Sequence, residues 1–122
     1  MPGDEFDGIP TDELPIDEVI WSAERAKHIR TRTERKGPRE INIEPEWATE
    51  AALDPRRKTR RGTGQESIEV IGYSPTARRV LLVWVYTTDH PPTGVWHGGS
   101  AIAAGRRLRR TYWEGGNDDG QD

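Results

Sequence analysis

Arginine carries the most informative chemistry in this sequence. It comes in tight groups: Arg56–Arg61 with Lys58 and Thr59 among them, Arg78-Arg79, and Arg106–Arg110 around Leu108. Trp96, Tyr112 and Trp113 stand near the last group. Guanidinium groups make bidentate contacts to phosphate, and aromatic rings stack on unpaired bases. The candidate RNA-binding residues are therefore Arg60, Arg61, Arg79, Arg109, Arg110 and Trp113. The same residue types could also cleave RNA without a metal. That reaction moves a ribose 2′-oxygen onto the adjacent phosphorus. It needs a base for the 2′-OH, cations for the charge on the phosphorane, and an acid for the departing 5′-oxygen. His97, Tyr112 and Glu66 are the candidate proton-transfer groups, and Arg106, with Arg109 or Arg110, the candidate cation.

Other chemistries are poorly supplied. The histidines are His28, His90 and His97; no pair has metal-ligand spacing on an expected helix, and no carboxylate cluster joins them. The chain has no cysteine, which removes disulfides, thiolate metal sites and a cysteine nucleophile. No serine sits in a nucleophile elbow. Gly62 and Gly64 are not followed by the lysine and helix of a phosphate loop. No metal and no cofactor is expected.

The net charge of −3 conceals a split. Residues 1–18 hold seven acids and no base, and residues 114–122 hold four more acids and no base. Residues 19–113 carry all 18 bases against the other ten acids, a net of +8. A basic body suits phosphates or an acidic partner. The two acidic ends, 1–18 and 114–122, are read as disordered tails that either solubilise the chain or compete with its ligand. At 122 residues, with 32% apolar and 32% charged, the chain has room for one small core. No run approaches a membrane span, and the acidic N-terminus lacks a signal-peptide pattern, so a cytoplasmic protein is expected.

The elements that must position these groups follow from periodicity and punctuation. Val19-Ile20-Trp21 reads as an edge strand. Ser22 caps a helix over about 23–34, stopped by Gly37-Pro38. A second helix, Glu44–Leu53, carries Pro45 in its first turn and ends at Asp54-Pro55. The basic run after residue 56 begins a strand and ends in a glycine-rich loop. Ser67–Tyr73 is a strand, Ser74–Ala77 a turn, and Arg79–Thr87 a strand apolar on both faces and hence central. Val95-Trp96-His97 is a short strand. Ser100 then caps a final helix over about 101–113 that buries Ala101, Ala104, Leu108 and Tyr112. Trp47 and Trp84 are read as core, Trp96 and Trp113 as either core or stacking residues. The expected class is α+β, with two N-terminal helices, an antiparallel four-stranded sheet and a C-terminal helix.

Four segments spanning about 19–113 carry a resemblance. They are Ile20-Trp21 with Lys27-His28; Glu46–Ala51 followed by Asp54-Pro55; Ile71–Ser74 followed by Arg79–Thr87; and Ser100-Ala101 through Arg109-Arg110-Thr111-Tyr112. In order and spacing they resemble the BrnT family of type II toxins. The resemblance implies a RelE-like fold, ribonuclease activity that inhibits translation, and a ribbon-helix-helix-type antitoxin covering the basic surface. Three positions depart from the family pattern. Ser67 stands where an arginine would follow Glu66, Ile102 takes the arginine place after Ser100-Ala101, and Leu108 replaces a glutamate. Each lost charged group would cost about 2–4 kcal/mol of transition-state stabilisation if it were catalytic. Three functions follow as alternatives: a metal-independent ribonuclease toxin; a non-catalytic relative that binds nucleic acid or an antitoxin-like partner; and a soluble domain whose arginines only balance its acidic ends.

Overall fold

The architecture comes from a computed structural model, which describes residues 11–62, 67–89 and 91–114. Residues 1–10 and 115–122, and with them most of both acidic ends, lie outside the described residues, as do Glu66 and His90. In chain order the elements are a 3-10 turn at Thr11–Glu13, β1 (Glu18–Ile20), α1 (Ala23–Arg30), α2 (Arg32–Lys36), α3 (Pro45–Ala52), β2 (Lys58–Arg61), β3 (Ser67–Ser74), β4 (Arg79–Tyr86), β5 (Val95–Ala103) and α4 (Arg106–Glu114). The fold class is α+β.

The most apolar run forms β4, the middle strand of a five-stranded sheet in the order β1-β5-β4-β3-β2. Neighbours β2 to β5 are antiparallel, but β1 lies parallel to β5, so the sheet is mixed and has one strand more than expected. Alternation along β4 sends Leu81, Val83 and Val85 to one face and Val80, Leu82, Trp84 and Tyr86 to the other. The first face packs on α1 and α3 in the larger core, with Ile29, Ile43, Ala48, Ala51, Ile68, Val70 and Trp96. Gly72 of β3 allows this approach, because a Cβ there would collide with the Ala51 carbonyl of α3. The second face holds a smaller core of Ile71, Val80, Leu82, Ala104 and Tyr112 under α4.

Three departures from the sequence expectation have clear causes. The expected helix over 101–113 starts five residues late. Residues 95–103 continue as one strand, with Ser100, Ala101 and Ile102 paired to Trp84, Val83 and Leu82. Ser100 is therefore a strand residue and caps nothing. The ladder hydrogen bonds and burial of Ala101 outweigh the helical spacing of the alanines. The first helix is interrupted at Thr31, whose hydroxyl bonds back to the Lys27 carbonyl at 2.8 Å, a local competitor of the helical ladder. Asn42 then accepts from the Thr33 amide at 2.9 Å and starts α2. Finally, the N-terminal boundary at residue 18 moves. Leu14 and Ile16 are 2% and 5% exposed within the larger core. The Trp96 indole donates to the Pro15 carbonyl at 2.7 Å, and the amides of Asp17 and Glu18 donate to Gly94. Residues 11–18 thus belong to the folded body.

Candidate functional site

The C-terminal helix gathers the exposed cations. In α4 only Tyr112 is buried, while Arg106, Arg107, Arg109 and Arg110 are exposed. None of these four makes a salt bridge with another described residue. Among the described residues Arg109 alone of the four has a hydrogen-bond partner for its guanidinium, donating to the Ala104 carbonyl at 3.0 Å. The helix starts beside β4, where the Ala104 amide donates to the Val80 carbonyl at 3.0 Å. Arg79, exposed at the first position of β4, alternates with Val80 and so lies with Leu81 on the α3 side of the sheet, opposite Ser74, with Arg78 in the turn before it. At the other end Tyr112 reaches Asp54, and the Arg56 charge acts on the Tyr112 hydroxyl. A cationic band therefore runs along α4 towards Arg56.

The band is held by Asp54. Its carboxylate accepts from the Tyr112 hydroxyl at 2.5 Å, the Tyr73 amide at 2.9 Å and the Arg56 amide at 2.8 Å. Sequence reading took Asp54 only as a helix stop; its part in seating α4 depends on a contact across 58 residues. Burial first, then the hydrogen bond to Asp54 and the Asp54 charge, push the Tyr112 hydroxyl up to about 12. It is a fixed proton donor to Asp54 at neutral pH. Trp113, 53% exposed, packs edge-on against Tyr73 and Tyr112, with ring centroids 5.8 and 4.8 Å apart.

His97 lies elsewhere. It pairs with Tyr86 across β4 and β5, and with Ile20 on β1. The His97 and Tyr86 rings stack at 5.3 Å and 27°. A bulge at Gly99, between the Trp84–Ser100 and Val85–Gly98 pairs, brings His97 onto the same face as Ser100 and Ile102. This part of the face is open: Ile20 is 43% and Tyr86 42% exposed. One row along, Arg60 binds Glu69 at 2.6 Å, and the half-buried Trp84 donates its indole N–H to the same carboxylate at 3.0 Å.

These positions separate the expected catalytic set. Tyr112 sits by Tyr73 and Val80, His97 by Tyr86, and Val80 and Tyr86 are six residues apart on one strand, about 20 Å. Arg106, at the start of α4, belongs to the Tyr112 end. The three cannot meet one phosphate, and Glu66 lies outside the described residues. The expected RNA-binding residues divide as well. Arg109, Arg110 and Trp113 share the band, whereas Arg79 lies on the α3 side of β4. Arg60 is tied to Glu69 on β2, and Arg61 lies beyond it on the exposed edge strand. Trp96 is fully buried and belongs to the core, not to a stacking surface. Tyr86 was missed by sequence reading, although its alternation with Trp84 on β4 would have placed it on the sheet face opposite Val85.

The bases do not all gather at α4. A second set, Arg25, Lys27, Arg30, Arg32, Arg35 and Lys36, lies on α1 and α2. Much of it is internally engaged: Arg30 with Glu44 at 3.0 Å, Arg32 with Glu40 at 2.9 Å, and Arg35 with the His28 carbonyl at 2.6 Å. Burial and then the charges of Arg35, Arg25, Arg32 and Lys36 hold His28 below the ordinary histidine value. Among the described residues no group of three or more histidines and carboxylates comes together to hold a metal ion, and no helix is long and apolar enough to cross a membrane. No protein-family model and no curated protein matches the chain.

Proposed function

We propose that this protein binds RNA through the cationic band along α4, as a BrnT-like component of a type II toxin–antitoxin pair. One observation carries the reading: four exposed arginines on α4, none neutralised by a described carboxylate, ending at the exposed indole of Trp113. Spaced guanidinium groups suit a phosphate backbone, and a terminal aromatic suits an unpaired base. The likeness to BrnT toxins in the order of four segments supplies the biological context and the partner, a ribbon-helix-helix-type antitoxin that would cover the same band. Replacing Arg106, Arg107, Arg109 and Arg110 by alanine should weaken binding of a short unstructured RNA at least ten-fold, four phosphate contacts being lost. Unchanged affinity in that variant rejects the reading. Co-expression with the product of the neighbouring gene tests the context, through co-purification and rescue of growth.

A second reading, metal-independent ribonuclease, has one observation in its favour. His97 and Tyr86 stack side by side on an open sheet face, a possible base and acid for transfer to the 2′-oxygen. The nearest β2 arginine on their face, Arg60, is held by Glu69, and the α4 arginines are a strand's length away. Charge stabilisation at the phosphorane is therefore poor, and binding without cleavage is the reading the geometry favours. RNA cleavage that persists in chelator and disappears in His97→Ala would reverse that preference.

A further inference from the structure

A cavity of about 340 Å³ opens at the Trp113 end of the band, lined by Glu50, Leu53, Asp54, Pro55, Tyr73 and Pro75. Its size and mostly apolar wall, with two polar groups, are those of a small-ligand site. The polar groups are unusual in a basic body. Glu50 accepts from the Ser74 hydroxyl at 2.7 Å, the Thr76 amide at 3.1 Å and the Thr76 hydroxyl at 2.7 Å. Burial pushes its carboxyl up, but the Thr76 and Ser74 hydrogen bonds outweigh this and hold it below the usual value, so it is ionised at neutral pH. Asp54 likewise takes three hydrogen bonds. Every one of these donors is a neutral amide or hydroxyl. A carboxylate offers about four acceptor positions, so each keeps one unused. Neither forms a salt bridge with a described residue; the Arg57 guanidinium is spent on the Asp54 backbone carbonyl at 3.3 Å.

The complementary ligand is flat and apolar on its faces and carries adjacent N–H donors on one edge. Among nucleobases guanine fits this best, offering its ring imino and exocyclic amino groups on one edge, one for the unused position of each carboxylate. Uracil offers a single N–H flanked by two carbonyl oxygens, which would be set against the carboxylates. Tyr73 supplies a ring on the wall, and Trp113 packs against Tyr73 just outside. Unpaired bases are read in this way, by stacking and by their pairing edge.

We infer that this cavity is a subsite for one unpaired guanine of an RNA strand whose phosphates lie on the α4 arginines. The inference rests on the RNA-binding reading above and adds a base preference to it. The test is fluorescence anisotropy with short oligouridine RNAs carrying one guanine, adenine or cytosine, at low salt. The guanine RNA should bind roughly ten-fold more tightly than oligouridine, and Glu50→Gln should reduce that ratio to near one, since the amide presents its own N–H to the base. Equal affinity for all the RNAs overturns the subsite and leaves the RNA-binding reading standing. No binding of any RNA overturns both. If Glu50→Gln loses its native circular dichroism, Pro75→Trp on the exposed rim takes its place by filling the cavity. A guanine preference that survives Pro75→Trp also overturns the inference.

Discussion

Replacing Tyr112 by phenylalanine isolates the bond that seats the cationic helix. Tyr112 is the one buried side chain of α4, and its hydroxyl donates to Asp54 at 2.5 Å. A hydrogen bond to a charged acceptor contributes about 1.5–3 kcal/mol. Linkage gives an independent figure. The hydroxyl is raised from 10.0 to about 12 in the folded protein, and two units correspond to about 3 kcal/mol. Burial is the largest cause of that shift and the bond to Asp54 the next, and both come from the way Tyr112 is seated. The sign is definite, because the native state holds the Tyr112 proton more tightly than the unfolded chain. The stabilisation is complete below the unfolded value near 10 and is lost as pH rises through about 12. Urea unfolding of wild type and Tyr112→Phe should differ by about 2–3 kcal/mol at neutral pH. That difference should vanish above pH ~12, where wild type has lost its contribution, while titrations common to both proteins cancel. Equal stability at neutral pH, or a difference that stays constant into the alkaline range, would refute the reasoning.

Two further outcomes follow from packing and charge. His28 should titrate below the ordinary histidine range, and Arg35→Ala should raise its midpoint, as read from imidazole proton shifts in NMR; an unmoved midpoint contradicts the assigned role of the Arg35 charge. Because the folded state favours neutral His28, this residue's stabilisation is lost as pH falls through its lowered value, not as pH rises. Gly72→Ala should cost about 1–3 kcal/mol or more, since the added methyl meets the Ala51 carbonyl of α3, and an unchanged urea midpoint would show that α3 and β3 are not in contact there.

Much of the scaffold was legible because it rests on local rules. Pro45 in the first turn and Asp54-Pro55 beyond the end bracket α3, and the unbroken apolar run from Val80 to Val85 marks a middle strand buried on both faces. What was lost depends on distant partners. Ala101, Ala104 and Leu108 have helical spacing, yet Ala101 is held by a ladder to Val83 that the local pattern does not contain. Leu14 and Ile16 sit in an acidic, proline-bearing stretch that composition marks as tail, but Trp96 binds the Pro15 carbonyl across 81 residues and draws them into the core. The site follows the same division. The arginines of α4 could be read from the sequence as a cationic group. That His97 and Tyr112 sit at opposite ends of β4, and that Glu50 and Asp54 border one cavity, are facts of strand register and helix placement.

The account stands on polyanion binding at α4, and the most direct measurement is the salt dependence of affinity for a short unstructured RNA. With about four phosphates neutralised, the logarithm of affinity should fall against the logarithm of salt with a slope near −3, roughly a 50-fold loss between about 50 and about 200 mM. The slope should flatten when Arg106, Arg107, Arg109 and Arg110 are replaced by alanine. Affinity indifferent to salt, or a slope the quadruple replacement leaves unchanged, would contradict it.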